Sequence, residues 1–203
     1  MTQELFCIDW DTFTLKKSTI RKCAFSYIRE IFEDNHYKAG HMGGAIAFCF
    51  ALEYKGIVIG GAVYGPPRHA SSYGDGVTDL RRFALVDDAP KNSESFFLGK
   101  TIREIKKHGL ANKILTFADE TQGHHGTIYK ACNFKLIGET PPSKHILWKG
   151  KQYHMRSLTI ERPYSYILRE AVKSGEAVVV MGLKKYKYMY DCQDDKRSQG
   201  VIR

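Results

Sequence analysis

The chain has 203 residues, 43% of them apolar and 12% aromatic, and carries a formal net charge of +9 at pH 7. That length suits one domain with an appended element and allows a sizeable core, while the composition fits a folded globular protein and excludes a disordered chain. The excess of lysine and arginine favours a polyanionic partner such as nucleic acid. Cys7, Cys23, Cys49, Cys132 and Cys192 are scattered, odd in number and form no Cys-x-x-Cys pair. Reduced thiols in a cytoplasmic protein are therefore expected. The N-terminus lacks a basic stretch leading into an apolar run, and no apolar segment approaches the ~20 residues that cross a bilayer, so a soluble protein without a membrane partner is expected.

Along the chain, Ser18 to Phe32 places Ile20, Ala24, Tyr27, Ile28 and Ile31 at helical spacing and predicts an amphipathic helix capped by Ser18 or Thr19. A polar loop from Glu33 to Gly44 holds His36 and Tyr37. Ala45 to Glu53 and Ile57 to Tyr64, joined at Tyr54-Lys55-Gly56, predict a hairpin. Gly65 to Asp79, rich in Gly, Pro and Ser around Arg68 and His69, predicts a mobile loop near the substrate.

The next stretch carries the chemistry. Leu80 to Val86 reads as a strand, Asp87 to Asn92 as a polar turn, and Ser93 to His108 as a helix with Ser93 or Ser95 as cap. Free N–H groups and the positive dipole end make such a turn a phosphate site, though a capped surface helix is the plainer reading. Lys113 to Ala118 is a second strand ending at Asp119, where carboxylates commonly reach a cleft. A short helix over Thr127 to Cys132 follows, Asn133 falls at its left-handed C-terminal position, and Phe134 to Gly138 begins another strand. Arg81 and Arg82 alternate on the first strand, so one of them should face the cleft. His124 and His125, flanked by glycines, are proton carriers, ligands or simply solvated loop residues.

Beyond a Pro-Pro turn, His145 to Trp148 and Gln152 to Leu158 predict a hairpin around Lys149-Gly150-Lys151, and Ser165 to Ser174 a helix. The tail interleaves Lys184, Lys185 and Lys187 with Tyr186, Tyr188 and Tyr190. As a strand it would present Lys185 and Lys187 on one face for phosphates, or serve as an edge protected by lysines.

Strand, helix, strand, short helix and strand, with Tyr129 on the short helix, resemble the core of the GNAT acetyltransferase superfamily. Its C-terminal motif commonly reads Leu-Tyr-x-x-x-Gly-Phe, and the positions here are Ile128-Tyr129-Lys130-Ala131-Cys132-Asn133-Phe134. The superfamily's Gly-rich pyrophosphate loop is replaced by APKNSESFFLG, which departs from an ordinary coenzyme A site. The wording ALVDDAPKNSESFF, TFAD and GTIYKACNF, with His36-Tyr37 before it, is similar to the phage Mom family over roughly residues 35 to 156.

The resemblance implies an α/β fold with a GNAT-like, mixed, mostly antiparallel sheet flanked by helices and a C-terminal helix and strand extension. It places a catalytic domain at residues 1–160 and the extension and tail at 161–203, packed on the same domain. It implies a transferase that adds a carbamoylmethyl group to N6 of adenine in double-stranded phage or prophage DNA, protecting it from restriction in the host cytoplasm. His36, Tyr37, Asp119 and Tyr129 become catalytic residues, with Tyr129 protonating the leaving group and Asp119 orienting or deprotonating the amine. Arg81, rather than Arg82, with Lys91, Asn92, Ser93 and Ser95 become the donor site, and Arg68, Lys185 and Lys187 the DNA contacts. Acyl transfer puts a carbonyl on nitrogen and a carbamoylmethyl group puts a CH₂ there, so acetyl-coenzyme A or another activated metabolite remain alternatives as donor. The His, Asp and Tyr set also suits iron. A conventional N-acyltransferase acting on a protein, RNA or small-molecule amine, and a non-catalytic nucleic-acid-binding module, are the rival readings.

Overall fold

A computed structural model describes residues 8–10, 12–35 and 44–194. His36 and Tyr37 lie outside the described residues. The elements are β1 (Thr19–Cys23), α1 (Arg29–Asn35), β2 (Phe48–Tyr54), β3 (Ile57–Gly65), β4 (Val77–Leu85), α2 (Ser93–Lys107), β5 (Lys113–Asp119), α3 (Thr127–Ala131), β6 (Lys135–Thr140), β7 (Lys144–Trp148), β8 (Lys151–His154), α4 (Ser165–Ser174), β9 (Val178–Met181) and β10 (Lys185–Asp191). A seven-stranded sheet runs β1-β2-β3-β4-β5-β10-β6, and a three-stranded sheet runs β8-β7-β9. The pairs β1/β2, β2/β3 and β3/β4 are antiparallel and β4/β5 is parallel, which makes the expected mixed, mostly antiparallel sheet.

Two compact units divide the chain: Met1–Thr116 with Gly126–Leu136 and Tyr188–Arg203, and Phe117–His125 with Ile137–Lys187. A boundary at residue 160 falls inside the second of these, and the 161–203 extension contributes to both. In the first unit, α1 and the turn before it bury Ile28, Ile31 and Phe32 against Ala51, Val63 and Ala84. The opposite face of the same strands meets α2, where Phe97 stacks on Phe83 at 5.2 Å and Thr101 bonds Tyr64 at 2.7 Å. In the second unit, Ile146 of β7 packs with Leu168 and Ala171 of α4 and with Ala177.

Local chemistry explains the turns. Tyr54 pairs with Ile57 across Lys55 (φ 49°) and Gly56 (φ 81°), and Trp148 pairs with Lys151 across Lys149 (φ 48°) and Gly150 (φ 71°). Both are two-residue connections with positive φ at each position, the geometry whose twist matches antiparallel strands. Gly126 is required twice over: its φ is 75°, and an added Cβ would overlap the Tyr188 ring. Gly126→Ala is expected to destabilise the protein by about 1–2 kcal/mol from the backbone and about 1–3 kcal/mol from overpacking, read as a lower urea midpoint.

Two expectations need correction. Ser18 to Phe32 is not one helix: Thr19–Cys23 is strand β1, followed by a 3₁₀ turn at Phe25–Ile28 and only then α1. Its register runs from Thr19 opposite Glu53 to Cys23 opposite Cys49, so β2 supplies backbone hydrogen bonds that outweigh the helical spacing. The loop after β3 is also shorter than expected, since β4 has begun at Val77 and both Thr78 and Asp79 are buried.

Candidate functional site

In the first unit, the β3/β4 ladder pairs Tyr64 with Leu80 but Val63 with Arg82, leaving Arg81 as the extra residue of a β-bulge. A bulge re-aims the side chain it carries. Arg81 lies in a notch made by two glycines: a Cβ on Gly44 would come within 2.5 Å of Nη1, and one on Gly65 within 2.8 Å of Nε. Its Nη2 donates to the carbonyl of Pro66. Asp79, opposite Gly65 in the ladder, is 8% exposed, and its Oδ1 has no hydrogen-bond partner.

Burial, opposed only in part by Arg81 and the exposed Arg68, pushes the Asp79 carboxyl up to about 6 from an ordinary value of 3.8. The folded protein then holds this proton more tightly than the unfolded chain does. Stability is fully present below pH ~4 and is lost as the pH rises through about 6. A difference of about two units corresponds to ~3 kcal/mol. Asp79→Asn is expected to stabilise the protein at pH 7 to 8 by up to that amount and to gain nothing at pH ~4, as measured by chemical denaturation at both pH values.

The turn into α2 is as expected from the sequence, with one difference. Asn92 caps the helix in a left-handed conformation (φ 72°) without a side-chain bond, and Ser95 Oγ donates back to its carbonyl at 3.1 Å. Ser93 is 2% exposed and its Oγ has no hydrogen-bond partner, while Lys91 is exposed beside it. A 15-residue helix whose first turn holds an unsatisfied hydroxyl fits a phosphate group of a donor.

Tyr129 sits on α3, half-buried, between Phe134 and Tyr188, each with ring centroids 5.6 Å away. Asn133 is left-handed (φ 63°), as its place after the helix requires. Burial raises the phenol's pKa, a hydrogen bond with Thr116 opposes the rise, and Asp79, Glu94 and Tyr188 add to it. The group is thereby kept as a neutral donor.

In the second unit, Asp119 ends β5 with 8% exposure. Its Oδ2 meets Lys185 Nζ at 2.6 Å and its Oδ1 accepts from Thr121 N at 3.2 Å. Burial pushes this carboxyl upward, but the bond and charge of Lys185, with Thr121, outweigh it and hold the pKa below the ordinary value. An amine bound so directly to Asp119 is not displayed for phosphate, so Lys185 must exchange partners if it is to bind DNA. The strand's alternation is otherwise as expected, with Tyr188 buried and Tyr186 Oη donating to Glu120 at 3.0 Å.

Arg68, Arg81, Lys91, Asn92, Ser93, Ser95 and Tyr129 fall in the first unit, and Asp119, Lys185 and Lys187 in the second. Asp79, Thr116 and Glu120 escaped the sequence reading. Asp79 had a usable signal, a carboxylate between Thr78 and Leu80 in a segment leading into an apolar strand. Among the described residues no group of three or more His, Cys, Asp and Glu is arranged to hold a metal. Among the described residues, too, no helix is long and apolar enough to cross a membrane.

The architecture is that of N-acetyltransferases. An N-acetyltransferase from Staphylococcus aureus Mu50 superposes with a TM-score of 0.54 at 15% identity, covering 87% of this chain and 99% of its own. The ribosomal-protein-S18-alanine N-acetyltransferase of Escherichia coli gives 0.54 at 10% identity, covering 86% and 94%. A Bacillus subtilis acetyltransferase in complex with CoA gives 0.53 at 9% identity, covering 86% and 97%. The protein therefore has the GNAT acetyltransferase fold. Within that class it belongs to the Mom protein family, whose profile matches residues 17–201. The methylcarbamoylase mom of Escherichia phage Mu is 35% identical over 118 residues, which are 56% of this chain and 47% of the relative. The chain thus spans about half the length of the curated relative it matches.

Proposed function

We propose that the protein is a transferase that adds a carbamoylmethyl group to N6 of adenine in double-stranded DNA, protecting phage or prophage DNA from restriction in the host cytoplasm. The observation that carries this reading is membership of the Mom family over residues 17–201, together with a methylcarbamoylase relative. The acetyltransferase fold supports group transfer from a carrier, and the +9 charge supports a DNA partner.

In the reaction, the N6 lone pair forms a bond to the donor's CH₂ carbon as the bond from that carbon to its carrier breaks. The electron pair leaves with the carrier. Asp119 takes the surplus amine proton and Tyr129 supplies one to the departing group. Adenine N6 is a weak nucleophile because its lone pair is conjugated with the ring, so positioning and exclusion of water carry much of the work. Ser93, Ser95, Asn92, Lys91 and Arg81 would hold the phosphate of an activated metabolite whose CH₂ carbon bears the leaving group; acetyl-coenzyme A in the same place would be attacked at its carbonyl and would serve the acylating reaction instead. When bound, the donor supplies the electrophilic carbon. His36 and Tyr37 are assigned to the same chemistry, and together with Asp119 they would supply the donor atoms if the reaction uses an iron ion.

The fold neighbours favour a second reading, N-acylation of a protein, RNA or small-molecule amine. Mass spectrometry of deoxynucleosides from cells expressing the chain, beside an Asp119→Ala control, separates the two. A deoxyadenosine heavier by an acetamido group, absent from the control, is the expected result; unmodified DNA from soluble protein returns the reading to amine acylation.

A further inference from the structure

The second unit contains an open, groove-like cavity of about 420 Å³ lined by Glu120, Glu139, Thr140, Pro141, Pro142, Leu183 and Lys184. Its size is that of a small-ligand pocket. Three segments far apart in sequence build it, and their backbones are tied together around it. Leu183 N donates to Thr121 Oγ1 at 3.3 Å, and Lys185 N donates to Thr140 Oγ1 at 3.2 Å. Its two carboxylates are held in place as well: Glu139 by Lys184 Nζ at 2.7 Å, and Glu120 by the Tyr186 hydroxyl at 3.0 Å.

This lining selects a ligand by its chemistry. Two carboxylates against one ammonium repel a phosphate, so the cavity does not suit the anionic part of a donor. Pro141, Pro142 and Leu183 offer apolar walls that suit the faces of a planar ring. The carboxylates accept hydrogen bonds from an amine, and Lys184 or Thr140 can donate to a ring nitrogen. Glu120 directly follows Asp119, the carboxylate to which the proposed reaction gives the amine proton.

We infer that this cavity receives the acceptor nucleobase, one bearing an exocyclic amine, after it has left the base stack. The inference rests on the DNA-modifying reading and adds the place where the base is held. A base inside a duplex is stacked out of reach, and turning it out costs a few kcal/mol that such a pocket repays.

The test uses the full chain and two independent readouts. Saturation-transfer NMR with free deoxyadenosine, deoxycytidine, thymidine and coenzyme A is run on the wild type, Leu183→Trp and Glu139→Gln. Leu183 is 51% exposed, so the larger ring enters the cavity without entering the core. Deoxyadenosine is expected to bind the wild type and thymidine, which lacks the amine, to bind more weakly. Leu183→Trp is expected to weaken deoxyadenosine at least about tenfold and to leave coenzyme A unchanged. Glu139→Gln, at an exposed position, is expected to weaken deoxyadenosine with no change in thermal unfolding. In the second readout, modified adenine from cells expressing Leu183→Trp falls by at least about tenfold while duplex binding is kept. Deoxyadenosine that fails to bind the wild type, or that binds Leu183→Trp equally, overturns the inference, as does coenzyme A that is displaced by the tryptophan. Unmodified DNA from the wild type would instead remove the proposed reaction, and the nucleoside titration would still decide the pocket.

Discussion

Asp119→Asn is expected to lower the yield of modified adenine about 10²- to 10⁴-fold, the usual worth of a positioned acid or base, with duplex binding little changed and the unfolding midpoint lowered at neutral pH by loss of the Lys185 pair. The asparagine keeps an oxygen for the Thr121 N–H and loses only the charge that Lys185 Nζ meets at 2.6 Å. Burial alone would lift the Asp119 pKa; Lys185 and Thr121 reverse the sign and hold it down. The pair therefore contributes stability above the unfolded carboxyl's pKa, and that contribution is lost as the pH falls through the lower folded value. A depressed pKa also makes Asp119 a poor proton acceptor while Lys185 stays bound. Removing the partner isolates this effect. In Lys185→Met the carboxyl loses the bond and charge that lower its pKa, so the acid limb of the activity profile should move to higher pH. An unmoved limb, or an Asp119→Asn protein as active as the wild type, would take Asp119 out of the chemistry.

The ion pair shows what could and could not be read from residues alone. Asp119 stood out because it ends an apolar strand, and Lys185 because it alternates with tyrosines, but 66 positions separate them and nothing in either segment announces that they meet. The same holds for the wall of Glu139 to Pro142 against Leu183 and Lys184, which exists only because β10 is inserted between β5 and β6. Signals confined to a few residues fared better. Lys-Gly turns, the helix after Asn92 and the left-handed Asn133 are each dictated by backbone sterics within one turn of chain. Ser18 to Phe32 failed for the opposite reason, since Ile20, Ala24, Tyr27 and Ile28 do keep a helical period, and only pairing with β2 makes Thr19–Cys23 an edge strand. The extent of Asp79's burial was hidden by the same limit: the strand that carries it lies between β3 and β5, and a carboxylate next to a Gly- and Ser-rich stretch looks solvated until those strands pair.

Tyr129→Phe should likewise cost about 10²- to 10⁴-fold in modification, and it is the cleaner experiment because the ring stays. Phe134 and Tyr188 pack at 5.6 Å against the aromatic ring, so the phenylalanine keeps those contacts and the unfolding midpoint should shift little. What disappears is one hydroxyl, kept neutral by burial and oriented by Thr116. Since burial, Asp79, Glu94 and Tyr188 all raise its pKa, Tyr129 should contribute no basic limb below pH ~10, and activity lost at lower pH must belong to another group. Thr116→Val supplies the graded comparison: it leaves the phenol present but removes its hydrogen-bond partner, so the loss should fall between wild type and Tyr129→Phe. If the phenylalanine protein modified DNA at the wild-type rate, the hydroxyl would be a packing feature of α3, and the proton for the leaving group would have to come from elsewhere.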